Sequence, residues 1–122
     1  ARVPPAEVLA ADKCRAGFLT IGSCDNAVKE ARALLAESGV NLNYLRVKAF
    51  PFGKDVQDYL DSHDRIYVVE QNRDAQLRSM LLLETRLDPN KLVSVLHYDG
   101  LPILARTVVD GVNQDLARGK AA

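Results

Sequence analysis

Ile66-Tyr67-Val68-Val69 is an unbroken apolar run, rich in β-branched residues, that stops abruptly at the polar stretch Glu70-Gln71-Asn72. A strand with one solvated face alternates apolar and polar residues. A strand that does not alternate needs apolar cover on both faces, the arrangement found in parallel sheets flanked by helices. Ala16–Ile21, ending at Gly22-Ser23, and Leu92–Leu96 read as two more buried strands. Tyr44–Phe50 does alternate: Leu45, Val47 and Ala49 point one way, Arg46 and Lys48 the other, and Pro51 ends the run.

Helical spacing fills the gaps between these runs. Asp25 or Asn26 offers an N-cap oxygen to a helix whose stripe is Ala27, Val28, Ala31, Leu34 and Leu35, and Gly39 stops it. Lys54–His63 places Val56, Tyr59 and Leu60 on one side. Arg73 to Arg86 forms a third helix with Leu77, Met80, Leu81 and Leu83 as its apolar content. Asp99-Gly100 reads as a turn, with Pro102 just beyond it. A last helix over Ala105–Leu116 carries Val108, Val109, Val112 and Leu116, with Gly111 weakening it. Alternating strands and helices imply an α/β sandwich with a mostly parallel sheet and right-handed crossovers.

At 122 residues the chain is long enough for one domain with a real core. That domain is expected over 14–118, after a linker or edge strand at 1–13 that Pro4 and Pro5 keep out of the sheet centre, and before a tail at 119–122. Sixteen basic residues balance sixteen acidic ones, so nothing draws the chain as a whole to nucleic acid or an anionic membrane. The longest apolar runs, such as Met80–Leu83, are four residues, far short of the ~20 of a membrane span. Nothing at the start reads as a secretion leader, which makes a cytoplasmic protein the expectation. Opening on Ala1 rather than Met points to a piece of a longer product. Cys14 and Cys24 are spaced C-x9-C, which fits no usual zinc or redox motif and leaves two reduced thiols as the plain reading. His63 and His97 flank different strands and read as loop or cap histidines rather than a catalytic pair.

In open parallel sheets, ligands bind beyond the carboxyl ends of the strands. Two segments qualify. Gly22-Ser23-Cys24-Asp25 is a small-residue turn into a helix; its free amides suit an anion, but a capped tight turn explains it as well. It matches neither G-x-G-x-x-G nor a P-loop, so no nucleotide site is indicated. Glu70-Gln71-Asn72-Arg73 gathers a carboxylate, two amides and a guanidinium after the most buried strand. Here Asn72 could cap the next helix while Glu70 and Gln71 satisfy loop amides; contact with another domain is the other use. Arg46 and Lys48 put two cations on one strand face, so either the strand is at an edge or that face meets solvent or another domain.

The segments Tyr44-Leu-Arg-Val-Lys-Ala-Phe-Pro-Phe52, Ile66-Tyr-Val-Val-Glu-Gln-Asn-Arg-Asp-Ala-Gln-Leu77 and Val95-Leu-His-Tyr-Asp-Gly-Leu-Pro102 resemble the C-terminal domain of the alpha subunit of 2-oxoacid:ferredoxin oxidoreductases, most closely the 2-oxoglutarate type. The resemblance extends from Val3-Pro4-Pro5 over nearly the whole chain, though Gly22-Ser23-Cys24-Asp25 departs from the G-S-T or G-G-T usual in such proteins. It implies a transketolase C-terminal-domain-like fold, a three-layer α/β/α sandwich on a mixed sheet of five strands, one of them antiparallel; the fifth would come from residues 1–9. It also implies a parent enzyme that uses thiamine diphosphate, magnesium and an iron–sulfur cluster to turn a 2-oxoacid and CoA into acyl-CoA and CO2 with reduction of ferredoxin. No cluster-binding cysteine set or diphosphate–magnesium motif is present in this chain. The resemblance therefore implies an assembly domain without catalytic, cofactor-binding or metal residues of its own. Its partners would be the other alpha-subunit domains and the beta subunit, and its interface residues Gly22, Ser23, Arg46, Lys48, Glu70, Gln71, Asn72 and Arg73. The competing expectation is a free-standing binding module of the flavodoxin or receiver kind. Asp25 alone makes no receiver-type acidic cluster, and Ser23 alone makes no flavin phosphate loop.

Overall fold

A computed structural model describes residues 7–9, 15–21, 24–48, 52–71, 75–85, 87–97 and 103–121. The elements run β1 (Glu7–Leu9), β2 (Ala16–Ile21), α1 (Asp25–Glu37), β3 (Asn43–Val47), α2 (Lys54–Ser62), β4 (Arg65–Glu70), α3 (Gln76–Glu84), a 3-10 turn (Pro89–Lys91), β5 (Leu92–Leu96) and α4 (Ala105–Ala121). The strands form one sheet in the order β1-β3-β2-β4-β5. All neighbours are parallel except β1, which runs antiparallel to β3 with Val8 opposite Leu45. The mixed five-stranded sheet is the one expected, and its fifth strand does come from the N-terminal segment.

Strand alternation divides the core into two halves. Phe18, Tyr44, Tyr67, Val69 and Val95 face Val28, Ala31 and Leu35 of α1 and Val108 and Val112 of α4. Leu19, Leu45, Val47, Ile66, Val68 and Leu92 face Val56, Tyr59 and Leu60 of α2 and Leu77 and Leu81 of α3. This makes three layers, with β2 and β4 apolar on both faces as their sequence requires. Each fully buried Leu, Ile or Phe contributes about 2 kcal/mol. Tyr44, Phe18 and Tyr67 share one register level on neighbouring strands, an aromatic row across the middle of the sheet.

Gly39 ends α1 as its place in the sequence predicts. Gly39, at φ +88°, lets its own amide reach Ala36 O at 3.0 Å and the Val40 amide reach Leu35 O at 2.9 Å, the paired bonds of a Schellman cap. Gly17 has a different use: a Cβ there would fall 2.0 Å from the Tyr59 hydroxyl, which donates to Phe18 O at 2.9 Å. Gly111, read as a weak point of α4, is a packing device; a Cβ there would meet both Val95 methyls at 3.1 Å.

Several expectations are corrected. Neither Asp25 nor Asn26 is the N-cap of α1; Cys24 holds that position without a side-chain bond, because the Asp25 carboxylate is engaged by Tyr44. Leu34 is 43% exposed and outside the α1 stripe. Helix α3 starts at Gln76 rather than Arg73, and only Leu77 and Leu81 are buried; Leu83 is 83% exposed. Strand β3 ends at Val47 and is not an edge strand, since β1 covers it. Strand β5, read as buried throughout, is an edge strand in which only Leu92 and Val95 are buried. Helix α4 continues past Leu116 to Ala121, and it is Asp115 rather than Leu116 that turns inward.

Candidate functional site

Strand β2 lies between β3 and β4, and the chain leaves β2 and β4 toward opposite faces: α1 covers one and α3 the other. This is the point at which an open α/β sheet forms a crevice at its carboxyl edge. The described residues of the two segments singled out in the sequence meet there, with Cys24 beside Glu70 and Gln71. Gly22, Ser23, Asn72 and Arg73 lie outside the described residues; Cys24, Asp25, Glu70 and Gln71 flank them.

Glu70 is the last residue of β4 and is only 4% exposed. One carboxylate oxygen accepts the Leu77 amide at 2.6 Å and the other the Arg78 amide at 3.3 Å. These are the second and third residues of α3, whose N-cap position, Ala75, supplies no side-chain bond and sits in the left-handed region at φ 51°. Glu70 therefore caps α3 from across the loop, where its charge also favours the helix dipole. In turn the Glu70 carbonyl accepts the His97 amide at 3.0 Å, tying β4 to the end of β5.

Asp25 anchors the other side of the crevice. The Tyr44 hydroxyl donates to it at 2.6 Å and lies 2.8 Å from Thr20 Oγ1. Lys29 Nζ stands 3.2 Å and Arg46 Nε 3.8 Å from its oxygens. Burial opposes the charge on Asp25, but the Tyr44 bond, Lys29 and Arg46 outweigh it and hold the carboxyl below its usual range. Burial, reinforced by the Asp25 bond, pushes the Tyr44 phenol up. Arg46 is half-buried, whereas Lys48 and Gln71 are exposed. Between the two acids sits Cys24, 2% exposed. Burial, and then the charge of Glu70, raises its thiol pKa, so it stays protonated and is a poor nucleophile.

The histidines lie at opposite ends of the sheet, as their sequence positions suggested. His63, just before β4, is buried; Nδ1 is 2.7 Å from Tyr59 O and Nε2 is 2.8 Å from Asn43 Nδ2. With Nδ1–H donating to Tyr59 O and Nε2 accepting from Asn43, both nitrogens are used by one neutral tautomer.

Sequence reading missed a polar cluster at the amino edge of the sheet. Asp115 is 5% exposed; Arg65 Nε donates to it at 3.0 Å, Arg65 Nη2 closes a second bond, and the Tyr67 hydroxyl donates at 2.7 Å. Arg65 first, and Tyr67 after it, holds the Asp115 carboxyl below its usual range. The signal was present: Asp115 follows Val108 and Val112 at helical spacing, a charge on an apolar stripe. Beside it lies a groove of about 610 Å³ lined in part by Val40, Leu42 and Leu116.

Chemically, these acids are occupied as caps and anchors. Among the described residues no group of three or more His, Cys, Asp or Glu side chains could hold a metal ion, and no helix is long and apolar enough to cross a membrane.

No protein-family model matches the chain. Over 124 aligned residues it is 28% identical to subunit alpha of 2-oxoacid:ferredoxin oxidoreductase 2 from Aeropyrum pernix, covering 98% of this chain but 19% of that protein. Its fold is shared with 2-oxoglutarate:ferredoxin oxidoreductase from Magnetococcus marinus, solved with 2-oxoglutarate, coenzyme A and succinyl-CoA bound: TM-score 0.80, 23% identity, covering 92% of this chain and 20% of that one. The alpha chain of a probable 2-oxoacid ferredoxin oxidoreductase from Thermoplasma acidophilum superimposes with TM-score 0.61 at 26% identity, covering 92% of this chain and 97% of that one. The chain thus spans about a fifth of the length of the curated relative it matches. In sequence and in fold, it is similar over nearly its whole length to a short domain of the alpha subunits of 2-oxoacid:ferredoxin oxidoreductases.

Proposed function

We propose that this chain is a non-catalytic assembly domain of the alpha subunit of a 2-oxoacid:ferredoxin oxidoreductase, of the 2-oxoglutarate type. The observation that carries this reading is the alignment of 98% of the chain with 19% of one such subunit. The residues agree with it. Their buried acids hold the fold together: Glu70 caps α3, Asp25 is held by Tyr44 and Asp115 by Arg65. In this reading thiamine diphosphate, magnesium and an iron–sulfur cluster, and the chemistry they supply, belong to the rest of the parent enzyme.

The carboxyl edge of the sheet is the surface that meets the other alpha-subunit domains and the beta subunit. Arg46, Lys48 and Gln71 are its contacts, beside Gly22, Ser23, Asn72 and Arg73. Glu70 supports that surface from below rather than touching a partner. Ferredoxin, as acceptor, meets the parent enzyme elsewhere, and the parent works in the cytoplasm. An antibody to the domain, used to capture the endogenous polypeptide, tests this by intact mass. The expected result is a mass several times 13.4 kDa with a second subunit co-purifying. A mass near 13.4 kDa with no second subunit overturns it.

A further inference from the structure

We propose that the free edge of β5 is a self-pairing surface, on which β5 of a second copy docks antiparallel about a two-fold axis through Ser94. The strand Leu92-Val93-Ser94-Val95-Leu96 reads the same in both directions. It pairs with β4 on one side only, and among the described residues no strand covers its other side. In a parallel ladder, alternate residues turn both backbone groups toward the neighbour. The His97 amide donates to Glu70 O, so Val93 and Val95 share the β4 side. Ser94 and Leu96 therefore turn their N–H and C=O groups outward, and Leu92 its C=O, while the Leu92 amide donates to Pro89 O.

The centre of the palindrome is one of those outward residues. An antiparallel copy centred there sets Ser94 against Ser94, and each Leu92 against the other Leu96. With the Leu92 amides engaged by Pro89 O, that register closes about four backbone hydrogen bonds, two at the Ser94 pair and one from each Leu96 amide to the other copy's Leu92 O. It also sets each Val93 beside the other Val95, so like side chains meet on both faces. The strand itself carries neither of the residue types that commonly protect an edge: β5 contains no charge and no proline. Helix α4 leaves room, since a groove of about 350 Å³ lined by Ser94, Val95, Leu96, Thr107, Asp110 and Gly111 opens beside the strand. A closed, isologous pair results, with the sheet running continuously through both copies. Two five-residue edges make a small interface, so the pairing is weak and concentration-dependent. The inference rests on the strand edge alone and not on assignment to a parent enzyme.

Sedimentation velocity of the 122-residue chain from about 1 to 200 µM tests it. The expected result is a shift from 13.4 kDa toward twice that mass. Ser94→Pro removes an amide that points outward and spares the β4 ladder, so it weakens association at least about tenfold with an unchanged circular dichroism spectrum. Should that variant not fold, Ser94→Cys answers independently. It cross-links two copies on oxidation, whereas Ser79→Cys on exposed α3 surface does not. A chain that stays monomeric throughout, or a dimer that Ser94→Cys fails to cross-link, overturns the proposal.

Discussion

The carboxylate of Glu70 lies 2.6 Å from the backbone amide of Leu77 and is all but shielded from water. One side chain at the end of β4 thereby starts the helix that covers it. Glu70→Ala leaves two amides at the start of α3 without an acceptor in a site closed to water. A loss of about 2 kcal/mol is expected, seen as a fall of roughly 6–10 °C in Tm. Glu70→Gln keeps one acceptor and loses less. An unchanged Tm in Glu70→Ala would show that Glu70 caps nothing.

Gly17 and Tyr59 form a second coupled pair. Because a Cβ at Gly17 collides with the Tyr59 hydroxyl, Gly17→Ala expels that hydroxyl from its bond to Phe18 O. A destabilisation of about 2–3 kcal/mol is expected. Tyr59→Phe removes the colliding oxygen, so the double variant costs less than the sum of the two single ones. Urea denaturation of the four proteins measures the coupling, and strict additivity would refute it.

His63 makes the fold sensitive to mild acid. Burial lowers its pKa, and the positive neighbours Arg15 and Lys91 add to this against Tyr59 O and Asp64. The unfolded chain then takes up the proton before the folded one. Stability is complete above the ordinary histidine pKa of about 6.5 and is lost as pH falls below it toward the folded value. The Asn43 bond goes with it, because a protonated Nε2 cannot accept. Tm is expected to fall between pH 7.5 and 5.5 in the wild type, and His63→Gln should flatten that slope whatever its own Tm. An equal slope in both proteins would assign the dependence to other groups.

Arg65 and Asp115 act at lower pH. Folding depresses the Asp115 carboxyl, chiefly through Arg65, so this contribution is present above the unfolded carboxyl pKa of about 3.9 and is lost as pH falls through the folded value. Arg65→Leu leaves the buried carboxylate with only the Tyr67 hydroxyl and Arg118, 3.7 Å away. A loss of about 2 kcal/mol is expected at pH 7, at the lower end for such pairs because the Arg65 side chain is 43% exposed. The gap between variant and wild type should narrow below pH 4. A gap independent of pH would mean that Arg65 contributes packing alone.

The layers of this molecule were legible in the sequence because they depend on short-range periodicity. The Ile66–Val69 run fixed a strand covered on both faces, the stripes of α1 and α2 named the residues that meet it, and Gly39 marked where α1 ends. The carboxyl edge of the sheet could be singled out for the same reason, since polar residues that follow an apolar run fall at strand ends.

What a residue does there could not be read from its neighbours in sequence. Asn72, three residues before Ala75, was the natural cap for α3, yet the amides of that helix are met by Glu70, whose place at the end of β4 directs its side chain to the α3 face. Asp25, a candidate cap by sequence, is instead held by Tyr44, 19 positions away, because Tyr44 of β3 faces the side of the sheet that α1 covers. Arg65 and Asp115 are 50 positions apart, and nothing local announces their pairing. Sequence by itself determined where apolar surface must be hidden, and so the fold. Only the tertiary structure decided which polar groups meet beneath that surface, because a hydrogen bond needs its partner within about 3 Å and the chain brings such partners together only once the layers are stacked.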